Sequence, residues 1–144
     1  MFISNITDRG ATPALVSTMV FNQHRLTMIA ENVANMDVPG YRAKQLDAKS
    51  FQSALRRAFD ERGSDPNKPF VIPDGRQFGM DKGGRLRVTP GDEPVENILS
   101  HDGTNLSIER QMSQLAETRM TFELASKLLQ GRFDGLRKAI RGRP

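Results

Sequence analysis

The chain has no cysteine and no tryptophan among its 144 residues, and only one tyrosine. Without cysteine there is no disulfide and no thiolate metal site, and a protein that leaves the cytoplasm escapes unwanted thiol oxidation. Hydrophobic residues make up only 37% of the chain, and eight phenylalanines supply nearly all of its aromatic anchors. A generous core is therefore not expected. Seven methionines favour adaptable packing surfaces, which suits helices lying on helices. No run approaches the roughly 20 apolar residues a membrane span needs. Met1–Gly10 carries Asp8 and Arg9 and lacks a basic segment followed by an apolar run, so the reading is a soluble protein without a cleavable secretory signal.

The chemistry of an enzyme is missing as well. His24 and His101 belong to no metal-ligand spacing and have no cysteine partners. Gly83-Gly84 is followed by basic residues and an apparent strand, not by the helix start that a phosphate-cradling loop requires. Asp47, Asp60, Asp92 and Glu93 form no recognisable acid/base pair, and no serine sits in a Gly-x-Ser-x-Gly turn. Neither cofactor nor metal is expected.

A net charge of +4 and a pI near 9.8 raise nucleic acid as a partner. The bases are scattered except for Lys127, Arg132, Arg137, Lys138, Arg141 and Arg143 near the C-terminus. No recognition-helix, zinc-finger or stacking-sheet signature accompanies them, and cations at a helix C-terminus complement its dipole. A solvated face accounts for them without nucleic acid.

What is present centres on Asn32-Val33-Ala34-Asn35-Met36-Asp37-Val38-Pro39-Gly40-Tyr41. Val38 precedes a proline and is pushed out of the α region, while Pro39-Gly40 suits the two central positions of a type II turn. A helix reaching this stretch stops by Asp37. Asn35 is the candidate left-handed residue ending it, Asn32 offers an amide to the freed carbonyls, and Tyr41 follows the turn.

Upstream, residues 1–11 read as a flexible arm, and Thr12 before Pro13 reads as a hydroxyl N-cap with proline in the first turn. Leu15, Met19, Asn22, Leu26, Ile29, Val33 and Met36 then recur at alternating spacings of four and three, a coiled-coil seam with one polar member. Val16, Val20, Ala30 and Ala34 widen the apolar face. The unit 12–41 is thus an N-terminal helix and its turn.

The C-terminal unit, 104–144, carries the strongest periodicity. After turn residues Asp102, Gly103 and Asn105, Ser107 is the candidate cap, with Glu109 in the first turn. Ile108, Met112, Leu115, Arg119, Phe122, Ser126, Leu129, Phe133, Leu136 and Ile140 follow the same alternation. Leu124 and Leu128 add a second stripe, and Gly131 and Gly135 leave a smooth patch.

Between the helices, 42–103 reads as an irregular segment. Seven of the twelve glycines and most of the prolines fall between Gly63 and Gly103. Phe51, Leu55 and Phe59, with Ser50 as cap, predict a short helix over about 50–60, which the charges from Arg56 to Arg62 dissolve. Gln77–Met80 and the alternating Arg85-Leu86-Arg87-Val88-Thr89 flank a turn-rich Asp81–Gly84, compatible with a β-hairpin over about 77–89. The fold class is mainly α: N- and C-terminal helices paired as a coiled coil, a short extra helix, and an irregular middle with room for that hairpin. Two helices cannot bury both apolar stripes against each other, so partner chains are expected to complete the core and order the ends of the monomer.

A helix ending in Asn32-Val33-Ala34-Asn35, a Pro39-Gly40-Tyr41 turn, and a heptad helix at the C-terminus together resemble the bacterial flagellar axial proteins, the rod, hook and hook-associated family. Val38 stands where that family usually carries threonine; it keeps the extended conformation and loses a hydroxyl. The short length sets the chain apart from hook and distal-rod types, and the ending Leu128-Leu129-x3-Phe133-x-Gly135-Leu136-x2-Ala139-Ile140 is similar to the short proximal rod proteins. The resemblance covers roughly residues 12–60 and 104–143.

It implies a structural subunit, exported unfolded through the flagellar type III apparatus without cleavage and polymerised into the periplasmic rod of the basal body. Its implied partners are further copies of itself, other proximal rod proteins, the adaptor protein at the rod base, and the membrane-embedded ring with its export gate. Nucleic acid is not among them, and no membrane span is implied. The turn residues are Asn32, Ala34, Asn35, Pro39, Gly40 and Tyr41. The assembly seams are Leu15, Met19, Leu26, Ile29 and Val33 on one helix, and Ile108, Met112, Leu115, Phe122, Leu129, Phe133, Leu136 and Ile140 on the other.

Two rivals stay open on the residues alone. A cytoplasmic coiled-coil adaptor shares the seams but has no need of the Asn-x-Ala-Asn turn. A basic nucleic-acid binder predicts salt-sensitive retention on DNA.

Overall fold

The computed structural model describes residues 10–65, 68–92 and 108–142. Helix α1 runs Thr12–Ala34, strand β1 Lys44–Gln45, helix α2 Ala48–Arg62, strand β2 Phe78–Met80, strand β3 Leu86–Val88, strand β4 Gly91–Asp92 and helix α3 Ile108–Arg141. The N-terminal arm before Gly10, and the turn and cap expected at Asp102–Ser107, lie outside the described residues, as do His101 and Glu93.

Helix α1 starts one residue earlier than expected. Ala11 occupies the cap position without a side-chain bond, and Thr12 is already helical. Proline 13 tolerates the first turn because its missing N–H has no intrahelical partner there. At the other end Asn35 has φ −108° and ψ 10°, so it is not left-handed as the sequence suggested. The helix instead unwinds through successive short turns: Met36 N donates to Val33 O at 3.4 Å, Val38 N to Asn35 O at 3.0 Å, and Tyr41 N to Val38 O at 3.1 Å. The positive φ falls on Gly40, at 75°, which with Pro39 before it makes the expected type II turn.

Helix α2 is longer than expected at both ends. Asp47, not Ser50, caps it, accepting from Ser50 N at 3.0 Å. The charges at its end do not dissolve it, because they lie largely on the solvent side while Phe51, Ala54, Ala58 and Arg62 are buried. The arginine is held inward by a bond from its Nη1 to Gly10 O at 3.1 Å.

The hairpin forms in the expected place, with Phe78 opposite Val88, Gly79 opposite Arg87 and Met80 opposite Leu86. Gly84 N donates to Asp81 O at 3.0 Å, and Gly84 takes φ 73°, the left-handed position of a three-residue hairpin loop. The Asp81 carboxylate accepts from Gly83 N and Arg85 N, both at 2.8 Å, and pins the loop. A second antiparallel pair, β1 with β4, escaped the sequence reading; two-residue strands carry no periodicity.

The hairpin leans on a phenylalanine cluster. Phe21 of α1 and Phe51 of α2 stack with centroids 4.1 Å apart, and Phe78 sets its ring edge-on to Phe51 at 5.4 Å. Around them lie Met28, Ile29, Leu46, Ala54, Ile72 and Val88, all buried. The middle segment therefore supplies much of the core within the chain itself, alongside any contribution from partner chains. Helix α1 uses one face for this core and another for α3, with which it makes the most extensive helix contact.

Candidate assembly surface and its corner

The side chain of Asn32 is the centre of the corner. It is fully buried and makes four hydrogen bonds. Its Nδ2 donates to Lys44 O at 2.8 Å and to Gln111 Oε1 at 3.3 Å. Its Oδ1 accepts from Lys44 N at 2.9 Å and from the Tyr41 hydroxyl at 3.1 Å. Two donors and two acceptor sites are all that a carboxamide has, so this amide is completely satisfied. One side chain thus grips both backbone groups of the returning strand, the tyrosine after the turn, and the C-terminal helix.

Sequence reasoning assigned Asn32 to freed helix carbonyls. It is Asn35 whose Nδ2 donates to a carbonyl near the helix end, Glu31 O at 2.7 Å, which also accepts from Asn35 N at 3.1 Å. Ala34, Pro39 and Gly40 are exposed at the outside of the corner, and Tyr41 is half-buried. Gln77, expected only as the first residue of the hairpin, repeats the Asn32 device: its Nε2 donates to Gln45 O at 2.8 Å and its Oε1 accepts from Asp47 N at 2.9 Å. The amide ties the hairpin to the start of α2.

Helices α1 and α3 run antiparallel, as Asn32 meeting Gln111 and Arg25 meeting Glu117 require. The Arg25–Glu117 ion pair spans 3.3 Å, with the arginine side chain only 10% exposed and its Nε without a partner among the described residues. The face of α3 turned to α1 is a heptad column of small or polar residues, Gln111, Thr118 and Ala125, all buried. Beside it Ile108, Leu115, Phe122 and Leu129 are half-buried. On α1, Ile29 and Asn22 are buried, and Leu15, Met19, Leu26 and Val33 are half-buried.

The remaining residues of the expected C-terminal seam point outward. Met112 is exposed, as are Phe133, Leu136 and Ile140, the last at 80%. Met120, Leu124 and Leu128 form another exposed apolar stripe. Helix α3 has 34 residues against 23 in α1, and everything from Gly131 to Gly142 is exposed. The overhang ends with Lys138 and Arg141 in its last turn, where their charge complements the helix dipole. No helix among the described residues is long and apolar enough to cross a membrane.

Comparison with known proteins bears on this corner and this helix. The family model described as Flagella basal body rod protein matches residues 14–42, which are nearly all of α1 with its turn. The chain is 26% identical over 117 residues to the flagellar basal body rod protein FlgB of Bacillus subtilis (strain 168), covering 80% of this chain and 81% of the relative. With the FlgB of Escherichia coli (strain K12) it is 26% identical over 124 residues, 81% of this chain and 82% of the relative. With that of Aeromonas hydrophila it is 22% identical over 121 residues, 82% and 83% of the two chains. The chain is therefore similar to flagellar basal body rod proteins at its N-terminal helix and turn. It is similar to FlgB over about four-fifths of its length.

Proposed function

We propose that this chain is a structural subunit of the bacterial flagellar basal body, building the proximal rod by helix–helix polymerisation. The observation that carries the reading is the similarity to FlgB over about four-fifths of both chains, joined to a C-terminal helix whose outer apolar column has no mate within the described chain. A head-to-tail array needs one surface for the intrachain mate and another for a neighbour, and α3 presents two such faces. The seam residues Met112, Phe133, Leu136 and Ile140, with Met120, Leu124 and Leu128 beside them, are the side that meets neighbours. The corner at Asn32–Tyr41 turns the chain out of the helix pair and keeps α1 short.

In this reading the partners are further copies, other proximal rod proteins, the adaptor protein at the rod base, and the ring with its export gate. The subunit is exported without a cleaved signal and stands in the periplasmic part of the basal body. Its role is architectural and involves no catalysis. The cytoplasmic adaptor and the nucleic-acid binder are not favoured, since the relatives of similar length are rod proteins. Deleting the gene tests the reading: basal bodies should retain their membrane ring and lack a rod, and cells should not swim. Normal rods and normal swimming would refute it.

A further inference from the structure

We infer that Gln111 and Arg132 are positioning residues that fix the register of α3 against α1. The apolar side of the seam does not by itself select a register. Ile108, Leu115, Phe122, Leu129 and Leu136 recur every seven residues, so sliding α3 by one heptad exchanges Ile108 for Leu136 and leaves four large apolar residues facing α1. Such repeats slip unless a polar group specifies the alignment, and a single buried amide is an established means of doing so in coiled coils.

The neighbouring column does discriminate. It runs Gln111, Thr118, Ala125 and Arg132 at the same heptad spacing. In the observed register Gln111 Oε1 meets the buried amide of Asn32 at 3.3 Å, and Gln111 is itself 2% exposed. One heptad along, Thr118 would stand at Asn32, and its hydroxyl already donates to Gln114 O at 2.6 Å within its own helix. Asn32 would lose one partner and Arg25 would exchange Glu117 for Leu124. At the far end Arg132 would occupy the place of Ala125, which is 3% exposed, and a guanidinium there is strongly disfavoured without a partner. In the observed register that guanidinium lies just past the start of α1, against Gly10. One residue attracts the correct alignment and the other repels the wrong one.

The consequence for assembly rests on the rod reading above. A slide of seven residues displaces the outer column by about 10 Å along the axis, at 1.5 Å per residue. Neighbours that meet Phe133 and Ile140 at a set height would then be missed. The register itself is read on the isolated full chain, so its outcome does not depend on whether the chain builds rods.

The chain has no cysteine, so spin labels can be placed cleanly at Ala30→Cys and Lys127→Cys, both exposed and outside the contacts described. Pulsed electron paramagnetic resonance on the otherwise unchanged protein should give one distance. Gln111→Met, which keeps the shape and removes the acceptor, combined with Arg132→Ala should add a second population displaced along the helix by about 10 Å. Adding Thr118→Gln to that pair should leave the displaced population dominant. A single unchanged distance in both combinations overturns the inference. Loss of the helical circular dichroism signal in both also overturns it, because the residues would then be needed for the helix pair to form at all.

Discussion

Replacing Asn32 by alanine removes four hydrogen bonds at once, and the partners left behind differ in what they can recover. Gln111 Oε1 sits in a residue that is 2% exposed and has little access to water. An unsatisfied buried acceptor of that kind costs about 1–3 kcal/mol. Lys44 is exposed, so its N–H and C=O regain water and contribute only the net value of a bond, about 0.5–1.5 kcal/mol each. The Tyr41 hydroxyl is half-buried and adds little more. Since such terms overlap within one network, the expected destabilisation is about 2–4 kcal/mol. Asn35→Ala, in the same motif, removes one solvent-exposed bond of a half-buried side chain and should change stability by less than about 1 kcal/mol. Urea titration of the full chain, followed by helical circular dichroism, compares the two directly. Equal effects of the two substitutions, or a loss at Asn32 below about 0.5 kcal/mol, would refute the claim that this amide is the centre of the corner.

Three further outcomes follow from the same structure. Phe51→Ala removes a ring stacked on Phe21 and should cost about 3–5 kcal/mol in the same titration, because the cavity lies between α1, α2 and the hairpin. Gly40→Ala places a Cβ at φ 75°, where the space is open but the backbone is disfavoured, for a loss of about 1–2 kcal/mol; joined with Pro39→Ala it should lengthen α1 and abolish rods in complemented cells. The Asp81 carboxyl is held below its usual range, chiefly by the Arg85 backbone N–H and also by Gly83 N–H and the Arg85 charge. A depressed carboxylate stabilises the fold above its unfolded pKa, so the hairpin loop should be fully held at neutral pH. It should loosen only as pH falls below about 3.8, towards the lowered value, as amide exchange at Gly83 and Arg85 would report.

The corner and the hairpin were legible because each rests on backbone chemistry: the Pro39-Gly40 pair, and the alternation of Leu86 and Val88 beyond a glycine turn. The orientation of α3 was not. Gln111, Thr118 and Ala125 lie outside the large-apolar repeat, yet they are the ones buried, since small and hydrogen-bonded side chains let a second helix approach. Phe133 and Ile140 read as seam and are exposed, which a single chain with no neighbour cannot reveal from periodicity. The bonds of the Asn32 and Gln77 amides were invisible for another reason: the partners include backbone groups, those of Lys44 across the turn and those of Gln45 and Asp47 far along the chain, and no spacing records them.

The central claim is that the outer column of α3 serves neighbours and not the fold of the monomer. Phe133→Glu with Ile140→Glu tests it most directly, since both side chains are already exposed and such changes typically alter stability by no more than about 0.5 kcal/mol. Expressed in cells lacking the native gene, the variant should melt like the unchanged chain when purified and yet give basal bodies without rods. Normal rods from a normally folded variant would contradict the account.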